Sequence, residues 1–548
     1  VKRLFLVLIS GILTGLATPS LSASYLALVF LAPLWIALFD LDWFLTQRGV
    51  ETLVGVRAGA KKGVKAGLKL SRSPAILGAT WGLGYHGLTL FWITGIHPMT
   101  WMGVPWLASL LIAGFCWLAI TAWGMVLVML WAVGLSQICF LRQIQSKITI
   151  EASIVRILWG TTLWCLLESL WSRGALWWST LALTQSPTNL GLLQLSQFSG
   201  SITVVAIVVL LNGLLAEMAL HWRQGHGKTV KTFAIAWILL VVTLGTFSYF
   251  LNQRPIADNP QEKLKIGIIQ GNIPNEIKLY PEGWRKAIAG YTSGYEQLAR
   301  AGVDIVLTPE TALPYSWPDI VANSSFYRAI LTEKTPVWLG AFGQTQDRQG
   351  EHITNSLFTI TGTGQLYSQF NKVKLVPLGE YVPFSQFLGQ FIDRLSPLKA
   401  DLIPGKAGQL MPTPWGLAAV GICYESAFAE HFRGQVAQGA QFIITVANNA
   451  HYSTVMPAQH HAQDVLRAIE SDRWLARATN TGYSAIIDPR GHTRWQSGIN
   501  TYELHTGTLY RRQTQTLYVR WGDWLTPSLL VLSAIAWGWI GWQPGNIS

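Results

Sequence analysis

Leu417-Ala418-Ala419-Val420-Gly421-Ile422-Cys423-Tyr424-Glu425 is a continuous apolar run that ends on a thiol, a phenol and a carboxylate. The first six residues read as a buried strand. In α/β sheets catalytic and ligand groups gather at strand ends, so Cys423 stands where chemistry is expected. Two other stretches have the same form. Val306-Leu307-Thr308-Pro309 leads to Glu310, and Leu366–Asn371 leads to Lys372. A thiol must be activated before it attacks, by a base that takes its proton or a cation that favours the thiolate. A carboxylate can take that proton, and an ammonium can stabilise the oxyanion of a tetrahedral intermediate. Glu310, Lys372 and Cys423 together therefore suffice for acyl transfer through a thioester. Taken singly, each is more often a solvated charge or a core cysteine.

Around these residues strand and helix signals interleave. Leu264–Gln270, Asp304–Thr308, Val337–Phe342, Leu357–Thr361, Leu417–Ile422 and Phe442–Val446 read as strands. An amphipathic helix pattern starts near Trp284 and includes Glu296–Ala301, and Pro457–Leu475 reads as a second helix. This interleaving predicts an α/β domain.

The remainder is unlike a soluble protein. Of 548 residues, 50% are hydrophobic and 12% charged, against about 25% charged in soluble domains. A membrane-crossing helix needs about 20 apolar residues. Candidate spans are Leu4–Pro19, Tyr25–Phe39, Ile76–Ile96, Pro105–Leu135, Ile154–Trp171, Ile202–Leu220, Phe233–Leu251 and Leu525–Trp542, about eight in all. Many of the 27 Trp lie near their ends, as interfacial belts do. No small-residue cleavage site follows the first run, so it is expected to remain as a helix. With Lys2 and Arg3 inside, the basic loops fall on the same side: Arg48, Arg57, Lys61, Lys62, Lys65, Lys69 and Arg72, then Arg142 and Lys147, then Arg223, Lys228 and Lys231. The stretch Val56–Arg72 could lie on anionic headgroups or in solvent. This pattern accounts for the net charge of +12 without a nucleic-acid partner.

The expected organisation is a membrane domain over 1–251 with about seven spans, an extracytoplasmic domain over 252–523, and a returning helix over 524–548. Cys423 is the only cysteine of that outer domain, so it has no disulfide partner there. A second thiol in an oxidising space could trap a nucleophile as a disulfide. Cys116, Cys139 and Cys165 lie in or beside apolar runs and read as small buried hydrophobes without zinc-site spacing.

Longer motifs surround the three chemical groups. They are Thr308-Pro309-Glu310-Thr311-Ala312-Leu313-Pro314, the run Phe370-Asn371-Lys372-Val373-Lys374-Leu375-Val376-Pro377-Leu378-Gly379-Glu380-Tyr381-Val382-Pro383, and Cys423-Tyr424-Glu425. With them go Gln270-Gly271-Asn272-Ile273-Pro274, Asn355-Ser356-Leu357, Arg467-Ala468 before Glu470, Thr479-Asn480-Thr481-Gly482, and in the membrane part Glu168 with Arg173-Gly174. Jointly they resemble the nitrilase superfamily, and within it the apolipoprotein N-acyltransferase family, over nearly the whole chain. The resemblance implies an α-β-β-α sandwich on a polytopic helical membrane domain, placed on the outer face of a bacterial inner membrane. It implies a ping-pong transfer of an acyl chain from a phospholipid donor to the α-amine of a diacylated apolipoprotein. In that scheme Glu310 is the general base, Lys372 the oxyanion stabiliser and Cys423 the nucleophile. Glu380 and Glu425 are supporting carboxylates, and Tyr424 offers its backbone N–H. A monomer working in membrane lipid, with no metal and no cofactor, is expected. The alternatives are a membrane-tethered amidase of the same fold, or a transporter or scaffold with a degenerate outer domain.

Lys372 and Lys374 would face the same side of a strand; the family's register from Glu380 selects Lys372. This sequence departs from the family at Asn448-Asn449-Ala450-His451-Tyr452, where Asn-Asp-Ala-Trp-Phe is common, and at Leu279, where a Trp is frequent. His451, His460 and His461 include no HExxH, and neighbours on a helix diverge, so hydrogen-bonded histidines are expected rather than a metal site. Trp177-Trp178 reads as a belt anchor, and Glu168 as the partner of Arg173.

Overall fold

The apolar runs become helices to very different extents. The computed structural model describes residues 2–19, 21–39, 60–141, 144, 147–347, 350–381 and 402–542. Its membrane part contains α1 (Lys2–Gly15), α2 (Ala32–Phe39), α3 (Ala60–Thr89), α4 (Trp106–Leu141), α5 (Ile150–Trp171), α6 (Ser201–Arg223) and α7 (Gly227–Gln253). Among the described residues α4 to α7 are the four helices long and apolar enough to cross a membrane. With 14 residues, α1 spans about 21 Å at ~1.5 Å per residue, less than the ~30 Å hydrocarbon core. Arg48, Arg57, Arg142, Val382 and Pro383 lie outside the described residues, as do the side chains of Lys61, Lys62, Lys65, Lys69 and Arg72.

Helices α5 and α6 are tied by a buried ion pair. Arg156 Nε donates to Glu217 Oε1 at 2.7 Å, while Ser153 Oγ and Trp35 Nε1 also donate to that carboxylate. Every lone pair of a buried charge needs such a partner. The pair therefore holds two spans in one register.

Thirteen strands form two sheets among the described residues. The first has the order β13 (Glu503–Tyr510), β1 (Lys263–Gln270), β2 (Ile305–Leu307), β4 (Val337–Asp347), β5 (Gly350–Ile360), β6 (Leu366–Asn371), with β3 (Leu313–Ser316) paired to β4. The second has the order β12 (Thr493–Gln496), β11 (Ala485–Ile487), β10 (Leu475–Thr479), β9 (Phe442–Ala447), β8 (Gly416–Ile422), β7 (Met411–Thr413). Strand alternation sends Leu264, Ile266 and Ile268 inward against Ala418, Val420, Ile422 and Ile444. The outer faces are covered as well. Tyr291, Tyr295 and Leu298 of α8 (Pro281–Arg300) pack on Ile269 and Val306. Phe432 and Val436 of α9 (Ala429–Ala437), with Val465 and Leu466 of α10 (Val455–Ser471), pack on Ala419 and Ile443. Helices on both outer faces make the expected α-β-β-α sandwich, and explain why its central strands are apolar on both sides.

The end of α10 differs from expectation. The helix expected to reach Leu475 stops at Ser471, because Asp472 turns left-handed (φ 52°) and Leu475 opens β10. Helix α10 is also buried almost all round. Its apolar face meets the sheet, and its polar face meets the membrane part. Gln459 Nε2 donates to Thr89 O at 2.9 Å, Gln463 Nε2 to Trp178 O at 2.7 Å, and Ser201 N–H to Glu470 Oε1 at 2.8 Å. The chain closes with α11 (Leu525–Trp542), whose Ser533 hydroxyl meets that of Thr162 on α5.

Candidate active site

Strand β8 runs without a loop into a 3-10 turn, Cys423–Ala427, and Cys423 itself takes a left-handed backbone (φ 54°). For a residue with a Cβ that conformation costs about 1–3 kcal/mol and marks a site held by its surroundings. Glu425 supplies part of the hold. Its Oε2 accepts from Ile422 N–H at 2.7 Å, and its Oε1 accepts from Val373 N–H at 2.6 Å and Lys374 N–H at 3.0 Å. One buried carboxylate thus binds the cysteine turn to the lysine segment. His460 Nε2 meets the Cys423 carbonyl at 2.8 Å and its Nδ1 faces Asn449 Nδ2 at 3.0 Å. Burial holds His460 near pKa 3, so its ring is neutral.

Glu310 and Lys372 meet beside this turn. Lys372 is 1% exposed, and its Nζ donates to Glu310 Oε1 at 3.0 Å and to Glu380 Oε1 at 2.9 Å. Asn355 Nδ2 donates to the same two oxygens, at 2.7 and 3.0 Å, and the Asn448 N–H donates to Glu310 Oε2 at 2.8 Å. Val376 N–H donates to Glu380 Oε2 at 2.8 Å. The group stands at the ends of β2, β6, β8 and β9, so it draws on both sheets.

Charge balance follows from this geometry. Burial acts to raise the Glu310 carboxyl, but the Lys372 charge, hydrogen bonds from Lys372 and Asn355, and the Lys278 charge bring it below its ordinary value. Burial acts to lower the Lys372 ammonium, and Glu310 with Glu380 holds it well above its ordinary value. Burial and then the Glu310 charge push the Cys423 thiol up to about 12 against the pull of Lys372. The resting site is therefore thiol, carboxylate and ammonium.

A cavity of about 380 Å³ joins the group to the membrane part. Cys423, Glu310, Lys372 and His451 line one side, and Ile93, Ile96, Met99 and Met102 line the other, with Cys116 of α4. The two sides touch closely at Gly95, where a Cβ would run into the backbone at Tyr452 and Ser453.

Residues 265–517 match the carbon-nitrogen hydrolase family. An apolipoprotein N-acyltransferase of Synechocystis sp. is 50% identical over 533 residues, spanning 95% of this chain and 98% of the relative. One of Nostoc sp. is 49% identical, spanning 95% and 96%. The chain belongs to the apolipoprotein N-acyltransferase family. Among solved structures, Nit3 of Saccharomyces cerevisiae, a member of branch 10 of the nitrilase superfamily, is 19% identical with a TM-score of 0.34, covering 47% of this chain and 92% of its own.

Of the departures from the family's pattern, Leu279, His451 and Tyr452 line the cavity. His451 approaches Asn448 Nδ2 at 3.2 Å, and burial lowers its pKa to about 4. His461 bonds Thr493 at 2.9 Å. Among the described residues no three His, Cys, Asp or Glu side chains converge as metal ligands. Lys374 points away from Lys372, its Nζ 5.0 Å from the Phe428 ring centroid, because β6 ends at Asn371 and strand alternation no longer applies.

Two expectations are corrected. Trp177 and Trp178 are not belt anchors. They are buried between the two parts of the molecule, with Trp178 Nε1 donating to Gln459 Oε1 at 2.8 Å and the Tyr424 hydroxyl to Trp177 O at 2.6 Å. Glu168 does not pair with Arg173, which is exposed; it accepts the Leu181 N–H at 2.5 Å instead, because the chain folds back over its end of α5. The sequence reading missed Lys278. A lysine in a polar loop carries no signal of burial, yet Lys278 is 4% exposed and lines the cavity. It also gave no role to Asn448, whose contribution is a backbone N–H that side-chain identity does not reveal.

Proposed function

We propose that this chain moves a fatty acyl group from a phospholipid to the α-amine of the diacylglyceryl-cysteine that begins a bacterial apolipoprotein, by way of a thioester on Cys423. Glu310 takes the thiol proton as sulfur attacks the ester carbonyl, then returns it to the departing lysophospholipid alkoxide. An ammonium has three N–H donors. Lys372 spends two on Glu310 and Glu380, leaving the third for the developing oxyanion, beside the Tyr424 backbone N–H. Glu380 orients Lys372, and Glu425 orients the turn that carries Cys423. In the second half an amine attacks the thioester and the thiol is restored.

The supporting observation is the shared cavity, one wall bearing the thiol and the other drawn from the membrane part. An ester donor and an amine acceptor that never meet, both anchored in lipid, call for such a covalent relay. Amide hydrolysis would not call for that second wall. In this reading 1–251 form the membrane domain, 252–523 a catalytic domain on the extracytoplasmic side of the inner membrane, and 524–548 a returning helix, in a monomer. The test is intact mass after incubation with phospholipid only. An acyl adduct on Cys423, absent in Cys423→Ser and discharged by a diacylated lipopeptide, is expected. An adduct that only water discharges would sink the transferase reading.

A further inference from the structure

The second half-reaction has a proton problem that Glu310 does not solve. An α-amine is about half ammonium near pH 8, and an ammonium has no lone pair to attack with. The Glu310 carboxylate already accepts from Lys372, Asn355 and Asn448. The Cys423 thiol can lose its proton as its sulfur attacks, but an ammonium must lose one before it has a lone pair. Equilibrium transfer to a carboxylate more than three pKa units lower is uphill by over a thousandfold.

Lys278 stands in the same cavity. It ends the short turn Asn275–Lys278, and its Nζ donates to the main-chain carbonyl of Glu310 at 3.2 Å. Charged and titratable groups facing that cavity are Glu276 on its own turn, Glu310 after β2, Lys372 and Glu380 after β6, Cys423 after β8, His451 and Tyr452 after β9, and His97 and Cys116 from the membrane part. The two carboxylates near the chemistry are committed to Lys372, and Lys278 forms no ion pair among the described residues. Burial without such a pair drives a lysine toward its neutral form. Here burial lowers it to about 8, with Glu310 and Cys423 opposing. A neutral amine can keep its hydrogen bond to the carbonyl and still present a lone pair.

We infer that Lys278 is the catalytic base that takes the first proton from the incoming α-ammonium. The neutral Lys278 amine accepts that proton, and the freed amine forms a C–N bond to the thioester carbon. The C–S bond then breaks, the amine's second proton passes through Glu310 to the Cys423 sulfur, and Lys278 releases its proton to solvent. The inference rests on the acyl-transfer reading above.

The test uses full-length protein in nanodiscs, charged with phosphatidylethanolamine and then mixed with either a diacylated lipopeptide or hydroxylamine, an uncharged nucleophile at neutral pH. Lys278→Met and Lys278→Arg are expected still to form the acyl-enzyme, which reports their folding, and its rate of formation is read apart from its discharge because Lys278 Nζ bonds the Glu310 carbonyl. Their discharge to lipopeptide should fall on the order of 100-fold, while discharge by hydroxylamine stays unchanged. Equal slowing with both nucleophiles, or no slowing with either, overturns the assignment to Lys278. An unaltered adduct that hydroxylamine discharges and lipopeptide does not overturns the transfer reading itself.

Discussion

At Cys423 the backbone is left-handed and the side chain is a thiol kept protonated by burial and by the very carboxylate proposed to deprotonate it. That combination makes two effects of Glu310 separable. Its charge raises the thiol pKa, and in the proposed mechanism its oxygen serves as base. In Glu310→Gln the base is lost, and acyl-enzyme formation is expected to drop by about 100- to 10,000-fold. The same change removes a contribution that raises the thiol and leaves that of Lys372, which lowers it. Alkylation of Cys423 by iodoacetamide at pH 8, followed on its peptide, should therefore become faster than in the unaltered protein. Slower alkylation would show that the electrostatic picture is wrong.

Among the elements, the segment after β6 and the turn after β8 come from different sheets, and the Glu425 carboxylate joins them through three backbone N–H groups. Hydrogen bonds to a charged group contribute about 1.5–3 kcal/mol each. Glu425→Gln keeps one accepting oxygen and puts an NH2 against backbone donors. We expect faster amide exchange at Val373 and Lys374 with little change at α8, and a lower rate of acyl-enzyme formation. Unchanged exchange at those two amides would remove Glu425 from this role. These elements also show the limit of linear reading. Strands β1, β8 and β9, of six to eight residues, were legible as apolar runs, whereas β7, β11 and β12, of three or four residues, are too short to carry a period.

At the scale of the whole molecule, the sandwich is built onto the membrane helices. The interface includes Trp92, Trp177, Trp178, Phe428 and Met456, along with the polar face of α10. Residues 252–523 produced without the helices would expose those tryptophan-facing surfaces and leave Gln459, Gln463 and Glu470 without their partners. Large apolar patches of that kind drive association. Size-exclusion chromatography without detergent is expected to show aggregates; a monodisperse, active fragment would refute this view of the interface.

The sequence by itself determined the class of the fold, located the four apolar runs that become membrane-length helices among the described residues, and singled out Glu310, Lys372 and Cys423 as the candidate chemical groups. Apolar periodicity and local motifs are properties of neighbouring residues, and they survive in a linear reading. The tertiary structure decided which groups share a cavity. It buried Lys278 beside the Glu310 carbonyl, turned Trp177 and Trp178 inward, gave Glu168 a backbone partner in place of Arg173, and brought Ile93 to Met102 opposite the thiol. Each of these depends on contacts between residues far apart in the chain, where burial and electrostatics are set by what folds over a side chain and not by what precedes it.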